Sequence, residues 1–507
     1  MRTRGFRTIV VGAGSAGSVI AARVTEASDH PVLLLEAGPD YGASVALPRD
    51  LADGDLNSLF LHDWGLRHRP TPKHPLFRYP RGRVVGGSSA VNTCIALRGQ
   101  PKDFDEWAEL GLPEWAWDRC LPYFKRLERD LDFDDEWHGQ RGPLPIRRHT
   151  VAELVPWQAA FLDACDRLGL PRCEDHNRPG TYGAGPHAMN KMDGRRISVA
   201  EAYLTADVRS REHLTIRDES LVRRVLFRGR RAAGVEFERF GVVHTVAADR
   251  VILTAGAVAT PGILQRSGVG PAAALTRLRV DQVAVNEAVG ARILDHAGSA
   301  ILFRPKRGVA GPSDPLIQTL HRFQSRFGDA WNEMQLQPGG AMPVRVPKAF
   351  GQLVAMMAPL GKPRSQGSIH WTSADPRARP VIRSNMMSDP IDVAQVVEGL
   401  CLAIEMYEST PMRKMAQPIW PRRLRRATLE EHVRTVCDSG YHPSGTVPMG
   451  PPDSGWAACD GRGRVYGCEG LIVADASLFP TITSSNTNLP TIMMGERFGE
   501  WIREGEL

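Results

Sequence analysis

The chain predicts an α/β fold organised around a dinucleotide-binding unit, and three observations carry that prediction. Residues 7–38 follow the pattern strand, glycine turn, helix, strand. The 507 residues exceed the size at which a single core stops growing, so two closely packed domains are expected. From His213 onward the pattern changes from helical to β-type alternation, which points back towards a sheet already begun.

The first unit is the most explicit. Thr8 to Val11 is a short apolar, β-branched run of the buried parallel-strand type, and Gly12, Gly14 and Gly17 follow it at G-x-G-x-x-G spacing. Gly12 permits a tight turn, Gly14 lets a pyrophosphate approach the backbone, and Gly17 lets the next helix pack close to the strand. Ser15 and Ala16 complete the turn, where the helix N-terminus offers unpaired N–H groups and a partial positive charge to phosphate. Val32 to Leu35 is the second strand, and Glu36 at its end, followed by Ala37, can hold ribose hydroxyls while repelling a 2′-phosphate. NADP is thereby disfavoured, but this unit alone leaves FAD and NAD open.

Composition excludes several classes. Hydrophobic content of 42% and charged content of 24% are those of an ordinary globular protein. The net charge of +6 is scattered among acids, and the densest basic run, Pro421 to Arg426, is expected on a solvated helix face, so no nucleic-acid partner is implied. Eight cysteines lie at irregular spacings with no C-x-x-C pair and no Cys/His ligand pattern, so no metal is expected and a reducing compartment is the default. The opening MRTRGFRTIVVGAG is expected to be the first strand, with no signal peptide, and no run approaches the ~20 apolar residues of an integral membrane segment. A cytoplasmic location follows as the expectation.

After a Pro- and Gly-rich connection and the loop holding Trp64, residues 81–105 place Gly86-Gly87-Ser88-Ser89 where bare backbone and hydroxyls can meet a flat cofactor, with the Asn92 amide beyond them. Amphipathic helices are expected over 121–131 and 151–168, and His138, His149, His176 and His187 fall in loop-like sequence. Strand patterns occupy 214–227, 232–240 and 244–256, and 368–382 shows strands bounded by turns. Near the C-terminus, Leu471 to Ala474 is a buried strand ending at Asp475, and a last helix is expected from about Pro490.

The run Gly82-Arg83-Val84-Val85-Gly86-Gly87-Ser88-Ser89 with Asn92 resembles the first signature of the glucose–methanol–choline (GMC) family of flavin oxidoreductases. Residues 256–270, with Thr260-Pro261, Ile263-Leu264 and Ser267-Gly268-Val269-Gly270, resemble its second. That resemblance implies a Rossmann-like FAD-binding domain (1–100, 195–300 and 455–507) with a discontinuous substrate domain on an antiparallel sheet (101–194 and 301–454). It implies that FAD meets Trp64, Val85, Gly86, Gly87, Ser88, Asn92, Val222, Ala255, Gly256, Asp475, Ala476 and Thr487 besides the first glycine turn. Some members attach FAD through a histidine just before the Asn; Val91 stands there, so FAD is expected to be noncovalent. In the GARILDH stretch Arg292 replaces the usual Asn, and His296 is expected to be structural.

His442, in YHPSGT, and Asn486 match the family's two catalytic positions. A neutral imidazole can take a hydroxyl proton, and an amide can hold the alcohol oxygen while the carbinol hydride passes to flavin N5. The resemblance therefore implies an FAD-dependent alcohol dehydrogenase or oxidase (EC 1.1) acting on a small primary alcohol, with oxygen, a quinone or a carrier protein as electron acceptor. Hydroxynitrile-lyase chemistry with a redox-idle flavin is the alternative that the same residues allow. Val447 and Pro448, unusual for the family, are expected to alter pocket shape.

Overall fold

The computed structural model describes residues 5–26, 29–43, 46–340 and 352–507; the first four residues of the opening stretch and residues 27–28, 44–45 and 341–351 of the predicted domains lie outside the described residues. Phe6–Val11 sits at the centre of a mixed seven-stranded sheet. It pairs in parallel with Val32–Leu35 and with the inner end of Val242–Leu253, Val11 lying opposite both Leu35 and Leu253. Leu214–Arg217 extends the sheet beyond Val32–Leu35, Leu471–Val473 pairs with Val242–Leu253, and an antiparallel meander of Ser220–Arg228, Arg231–Arg239 and Val242–Leu253 closes the other side. The parallel strands are continuous apolar runs because helices cover both faces. Val242–Leu253 serves both parts of the sheet, exposed and polar along its outer half and fully buried from Val251 to Leu253.

The glycine-turn helix Gly17–Val24 lies against the last helix, Asn488–Arg503. Gly495 makes that approach possible, since a Cβ there would stand 2.9 Å from Val19 Cβ and 3.0 Å from Ala16 O. The Arg23 guanidinium then forks onto Glu496 with two 2.8 Å bonds, so the two ends of the chain are joined across the cofactor side of the fold.

The second sheet is antiparallel, in the order Ala416–Trp420, Ala297–Pro305, Val354–Leu360, Met334–Gly339, Thr319–Phe323, Gly183–Pro186, with Asp438–Ser439 pairing the start of Ala297–Pro305. Alternation divides its faces. Ile301, Phe303, Leu336, Met356 and Ala358 pack into the core formed with helices Pro156–Arg167 and Pro390–Ser409. The opposite face presents Gly298, Ala300, Gln335, Gln337, Met357 and Pro359 to a cleft shared with the first sheet.

The architecture is the α/β fold with two sheets that the sequence implied. The 421–426 run differs from its expectation: it forms a bend and irregular backbone ahead of the short turn Arg426–Thr428. The helix expected over 121–131 begins earlier, at Trp117, and ends at Leu127, where the chain becomes strand. His138, His176 and His187 do lie in irregular backbone, but they are buried.

Burial gives the fold an acid sensitivity with a definite sign. Desolvation holds His187 down to about 3 and His321 down to about 4. An unfolded imidazole titrates near 6.5, so below that value the unfolded chain binds protons that these two side chains refuse, and each costs about 1.4 kcal/mol of stability per pH unit until its own value is reached. Glu36, pushed up to about 7 by burial, acts in the opposite sense, as do Glu128, Asp295, Glu333, Asp392 and Asp475, which burial also raises, but the histidines that burial lowers, His30, His149, His176, His296 and His442 among them, are more numerous. The melting temperature, followed by circular dichroism, is expected to fall steadily from pH 7 to pH 5; a level or rising value over that interval contradicts this account.

Candidate active site

A cleft of about 1030 Å³ runs between the two sheets, from Glu36 at one end to the strands of the second sheet at the other. Its floor is bare backbone. Gly12 has φ +103°, and a Cβ on it would stand 2.6 Å from Thr254 O; Gly87, at φ +54°, approaches Gly14 so closely that its Cβ would lie 2.7 Å from Gly14 Cα. The glycine turn of the first strand and the paired glycines of 86–87 are therefore packed back to back, with no room for a side chain between them.

Most of the residues expected at a cofactor line this cleft. Gly12, Gly14, Ser15, Ala16, Glu36, Ala37, Trp64, Gly87, Ser88, Asn92, Val222, Ala255, Gly256, Asp475, Ala476 and Thr487 all do. Gly17, Val85 and Gly86 lie behind the wall: a Cβ on Gly17 would strike Gly12 O, Val85 is in the core, and Gly86 N donates to Ala13 O. Glu36 accepts from Ala13 N (3.0 Å) and Gly38 N (2.9 Å), which aims its carboxylate along the cleft. Asp475 also has partners of its own within the protein. Its oxygens already accept from Gly256 N (2.9 Å), Thr260 Oγ1 (2.6 Å) and Ser477 N (2.8 Å), so it ties the second signature to the C-terminal strand more than it awaits a ligand.

Two polar atoms have been left for something else. Asn488 Nδ2 and Asn57 Oδ1 are buried in the wall without a partner, and Ser15 Oγ donates to Asn488 Oδ1 (2.7 Å), which turns that unused amide donor beside the glycine turn. A long cleft with a glycine floor, a carboxylate at one end and orphan donor and acceptor groups in its walls fits an adenine dinucleotide. Val91 in the same wall offers no nucleophile for a covalent link.

At the far end His442 and Asn486 converge, with Asn486 Nδ2 donating to His442 Nε2 at 3.1 Å. The other ring nitrogen has an unexpected partner: His442 Nδ1 lies 2.8 Å from His296 Nδ1, and His296 Nε2 lies 2.8 Å from Thr483 O. These contacts determine the protons. A carbonyl oxygen only accepts, so His296 carries its proton on Nε2 and offers a lone pair on Nδ1. His442 then carries its proton on Nδ1, and its Nε2 lone pair faces the cleft. Burial holds both imidazoles below the ordinary value, His442 well below it, with His296 and Arg81 adding to the effect on His442; both rings are neutral at neutral pH. His296, expected to be structural, is thus the direct partner of His442.

A second device clamps the backbone on which His442 stands. Tyr441 adopts φ +62°, a left-handed conformation that a tyrosine holds only under constraint. Asp295, fully desolvated, accepts from Tyr79 Oη (2.5 Å), Ser439 Oγ and His442 N (2.8 Å); Ser439 Oγ accepts from Tyr441 N (2.6 Å), and Arg81 Nη2 donates to Tyr441 O (2.5 Å). Arg292 staples the same region, its Nε donating to Gly445 O (3.1 Å) and its Nη2 to Pro480 O (2.7 Å). The substitution that departs from the family pattern at 292 therefore tightens the loop. Val447 and Pro448 do not shape the cleft as expected: Val447 is fully buried in the core, its N–H bonded to Ser477 O, and neither residue lines the cavity.

Nothing in local sequence marked Asp295, Tyr79 or Arg81, since their partners are contributed by distant segments; only the position of Asp295 next to His296 in GARILDH hinted at a shared role. Among the described residues no group of His, Cys, Asp or Glu could hold a metal ion, no helix is long and apolar enough to cross a membrane, and all eight cysteines are free.

Comparison with known proteins agrees with this geometry. Residues 6–298 match the N-terminal and residues 363–495 the C-terminal part of the family described as GMC oxidoreductase. The chain is 34% identical to 5-(hydroxymethyl)furfural oxidase of Methylovorus sp., over 98% of each chain, and 34% identical to oxygen-dependent choline dehydrogenase of Sinorhizobium fredii, over 97% of this chain and 95% of that one. The crystal structure of pyridoxine 4-oxidase from Mesorbium loti superposes with a TM-score of 0.89 at 28% identity, covering 98% of this chain and 99% of the other.

The glycine floor yields a direct test. A Gly87→Ala variant must place a Cβ 2.7 Å from Gly14 Cα on a residue at φ +54°, a conformation that costs an alanine about 1–2 kcal/mol before any clash. It is expected to purify with at least tenfold less bound flavin per protein than the parent, read as the ratio of visible to ultraviolet absorbance; an unchanged ratio contradicts the back-to-back packing.

Proposed function

The chain belongs to the GMC oxidoreductase family, whose FAD-dependent enzymes oxidise alcohols, and on that premise we propose that it converts a primary alcohol to the aldehyde with His442 as general base and Asn486 holding the alcohol oxygen. The observation that carries this reading is the unprotonated Nε2 of His442 facing the cleft beside an amide donor. FAD, held by the glycine floor, Glu36 and the wall around Asn488, supplies the two-electron acceptor for the carbinol hydride. The discontinuous two-domain division expected from the sequence belongs to the same proposal, with the antiparallel sheet as the substrate wall.

The chain's own groups divide the remaining work. A hydroxyl entering between Asn486 Nδ2 and His442 Nε2 donates its proton to the imidazole and accepts from the amide, replacing the 3.1 Å contact between them. As the oxygen gains negative charge, the amide N–H, which does not ionise, holds it in place. The proton ends on His442 Nε2, and the resulting imidazolium still donates from Nδ1 to His296, whose own Nε2–H remains on Thr483 O. Asp295 and the strained Tyr441 turn keep the ring from swinging away while its charge changes. The relatives, an oxidase and an oxygen-dependent dehydrogenase, support dioxygen as the final acceptor.

The first test is anaerobic. The flavin of the purified protein is expected to bleach with a primary alcohol from a broad panel and to recover on readmission of air, whereas cyanide release from a cyanohydrin with the flavin still oxidised would contradict the redox reading. Replacing His442 by Ala is expected to lower kcat/KM by about 10²–10⁴, the usual worth of a general base. His296→Phe, which cannot accept from His442 Nδ1, is expected to lose about 10²-fold or more in kcat with the flavin still bound, as an imidazole freed to adopt the wrong tautomer does. His296→Asn, which offers an amide oxygen, should recover part of that loss. Equal activity in the Phe and Asn variants would contradict the tautomer assignment.

A further inference from the structure

The wall of the alcohol pocket has a chemical character of its own. On the antiparallel sheet, the positions facing the cleft are Gly298, Ala300, Gln335, Gln337, Met357 and Pro359. None of these six is acidic or aromatic, though at the edge of the same sheet Asp438 also lines the cleft. The alternate positions of the same strands, such as Met334, Leu336 and Met356, are buried in the core behind, so among the described residues the hydrogen-bonding side chains that these central strands present are the two glutamines and Ser299, whose hydroxyl donates to Val436 O (3.4 Å).

Their amides are ordered. Gln337 Nε2 donates to Gln335 Oε1 (2.6 Å), and Gln335 Nε2 donates to Ser484 O (3.3 Å), two residues before Asn486. This chain of bonds leaves Gln337 with Oε1 and one N–H, neither of which has a partner among the described residues. Behind Gln335, and opposite it in register, stands Arg322, buried, with Nη2 on Ser484 Oγ (3.3 Å) and with Nε and Nη1 unpartnered. A guanidinium thus stands across from Gln335, and Asp103 accepts from the N–H and Oγ of the same Ser484 (2.9 and 2.7 Å). The carboxylates elsewhere in the cleft are committed: Glu36 and Asp475 to backbone amides, Asp438 to His68 Nε2 (3.2 Å) and Ser439 N (2.8 Å), Glu238 to Arg223 (3.3 Å) and Arg377, and Glu219 to Arg83 (3.8 Å). Residues 341–351, which join the two central strands, contain no Asp or Glu.

We propose that the Gln335–Gln337 pair sets substrate choice, selecting an uncharged alcohol that carries a second neutral hydrogen-bonding group at its far end and rejecting cationic amino alcohols. The inference rests on the reading of the site as alcohol-oxidising and adds to it. A quaternary ammonium buried against the central strands would find neutral amides there, with no carboxylate and no aromatic face among their cleft-facing residues, and Arg322 across from Gln335. A hydroxyl or carbonyl group would instead meet the free donor and acceptor of Gln337, and an analogue without that group would leave the buried amide unpaired.

The test compares rates of anaerobic flavin reduction, per unit substrate concentration, in the holoenzyme. Choline is set against neohexyl alcohol, which has the same shape with carbon in place of nitrogen, and para-benzenedimethanol, counted per hydroxymethyl group, against para-methylbenzyl alcohol. The neutral isostere is expected to exceed choline by about 10²-fold, and the dimethanol to exceed the methyl compound by about tenfold. Gln337→Leu should bring the second ratio close to one, and Gln337→Glu should shift the first towards choline by at least tenfold. Flavin reduced fastest by choline, or a dimethanol preference that persists in Gln337→Leu, overturns the inference and leaves the redox reading standing. Flavin that stays oxidised with all four alcohols overturns both.

Discussion

One hydrogen bond decides what the cleft can do: the contact between the two Nδ1 atoms of His442 and His296. Two neutral imidazoles can share it only if one is donor and the other acceptor, and the carbonyl of Thr483 at the far side of His296 removes the choice. The order of protons from Thr483 O to His442 is thus set by a main-chain group that cannot titrate. Burial reinforces it, because a desolvated imidazolium would be costly at either ring and both remain neutral. A carboxylate in the place of His296 would have fixed the same tautomer but would have added a negative charge beside the developing alkoxide. A neutral imidazole orients the base without that opposition.

The remainder of the site is arranged to keep this contact. Asp295 collects Tyr79, Ser439 and the His442 amide and so couples the turn at Tyr441 to the strand that follows His296. Arg292 bridges to Gly445 and Pro480, and Thr446 Oγ1 donates to Ala257 O (2.7 Å), joining the histidine loop to the helix of the second signature. Asp475 completes the circuit through Gly256 and Thr260. Segments hundreds of residues apart in the chain are connected by a few desolvated polar groups, each with its partners supplied. Such groups are costly when unpaired and rigid when paired, which suits a site where the base must not drift.

Legibility in the sequence followed the range of the interactions. The parallel strands at 8–11, 32–35 and 251–254 and the glycine turn were readable because burial on both faces and close backbone approach leave a local mark in residue type. His442 and Asn486 were readable only through the family resemblance; no periodicity distinguishes them. His296 was read as structural, and both of its ring nitrogens are bonded; that one of them meets His442 was not legible because the partner lies 146 residues away, and Asp295 went unremarked for the same reason. Asp475 was recognised as an acceptor, but its donors come from the second signature, which its own strand does not reveal. Gln335 and Gln337 look in sequence like the polar face of any half-exposed strand, and only the sheet order shows that this face is turned inwards to the cleft.

Hydrogen positions are the most direct test of the central claim, and neutron diffraction from a deuterium-exchanged crystal of the holoenzyme at neutral pH would show them. The account predicts a deuteron on His442 Nδ1 directed at His296, a deuteron on His296 Nε2 directed at Thr483 O, and none on His442 Nε2. A deuteron on His442 Nε2, or one on His296 Nδ1, would contradict it.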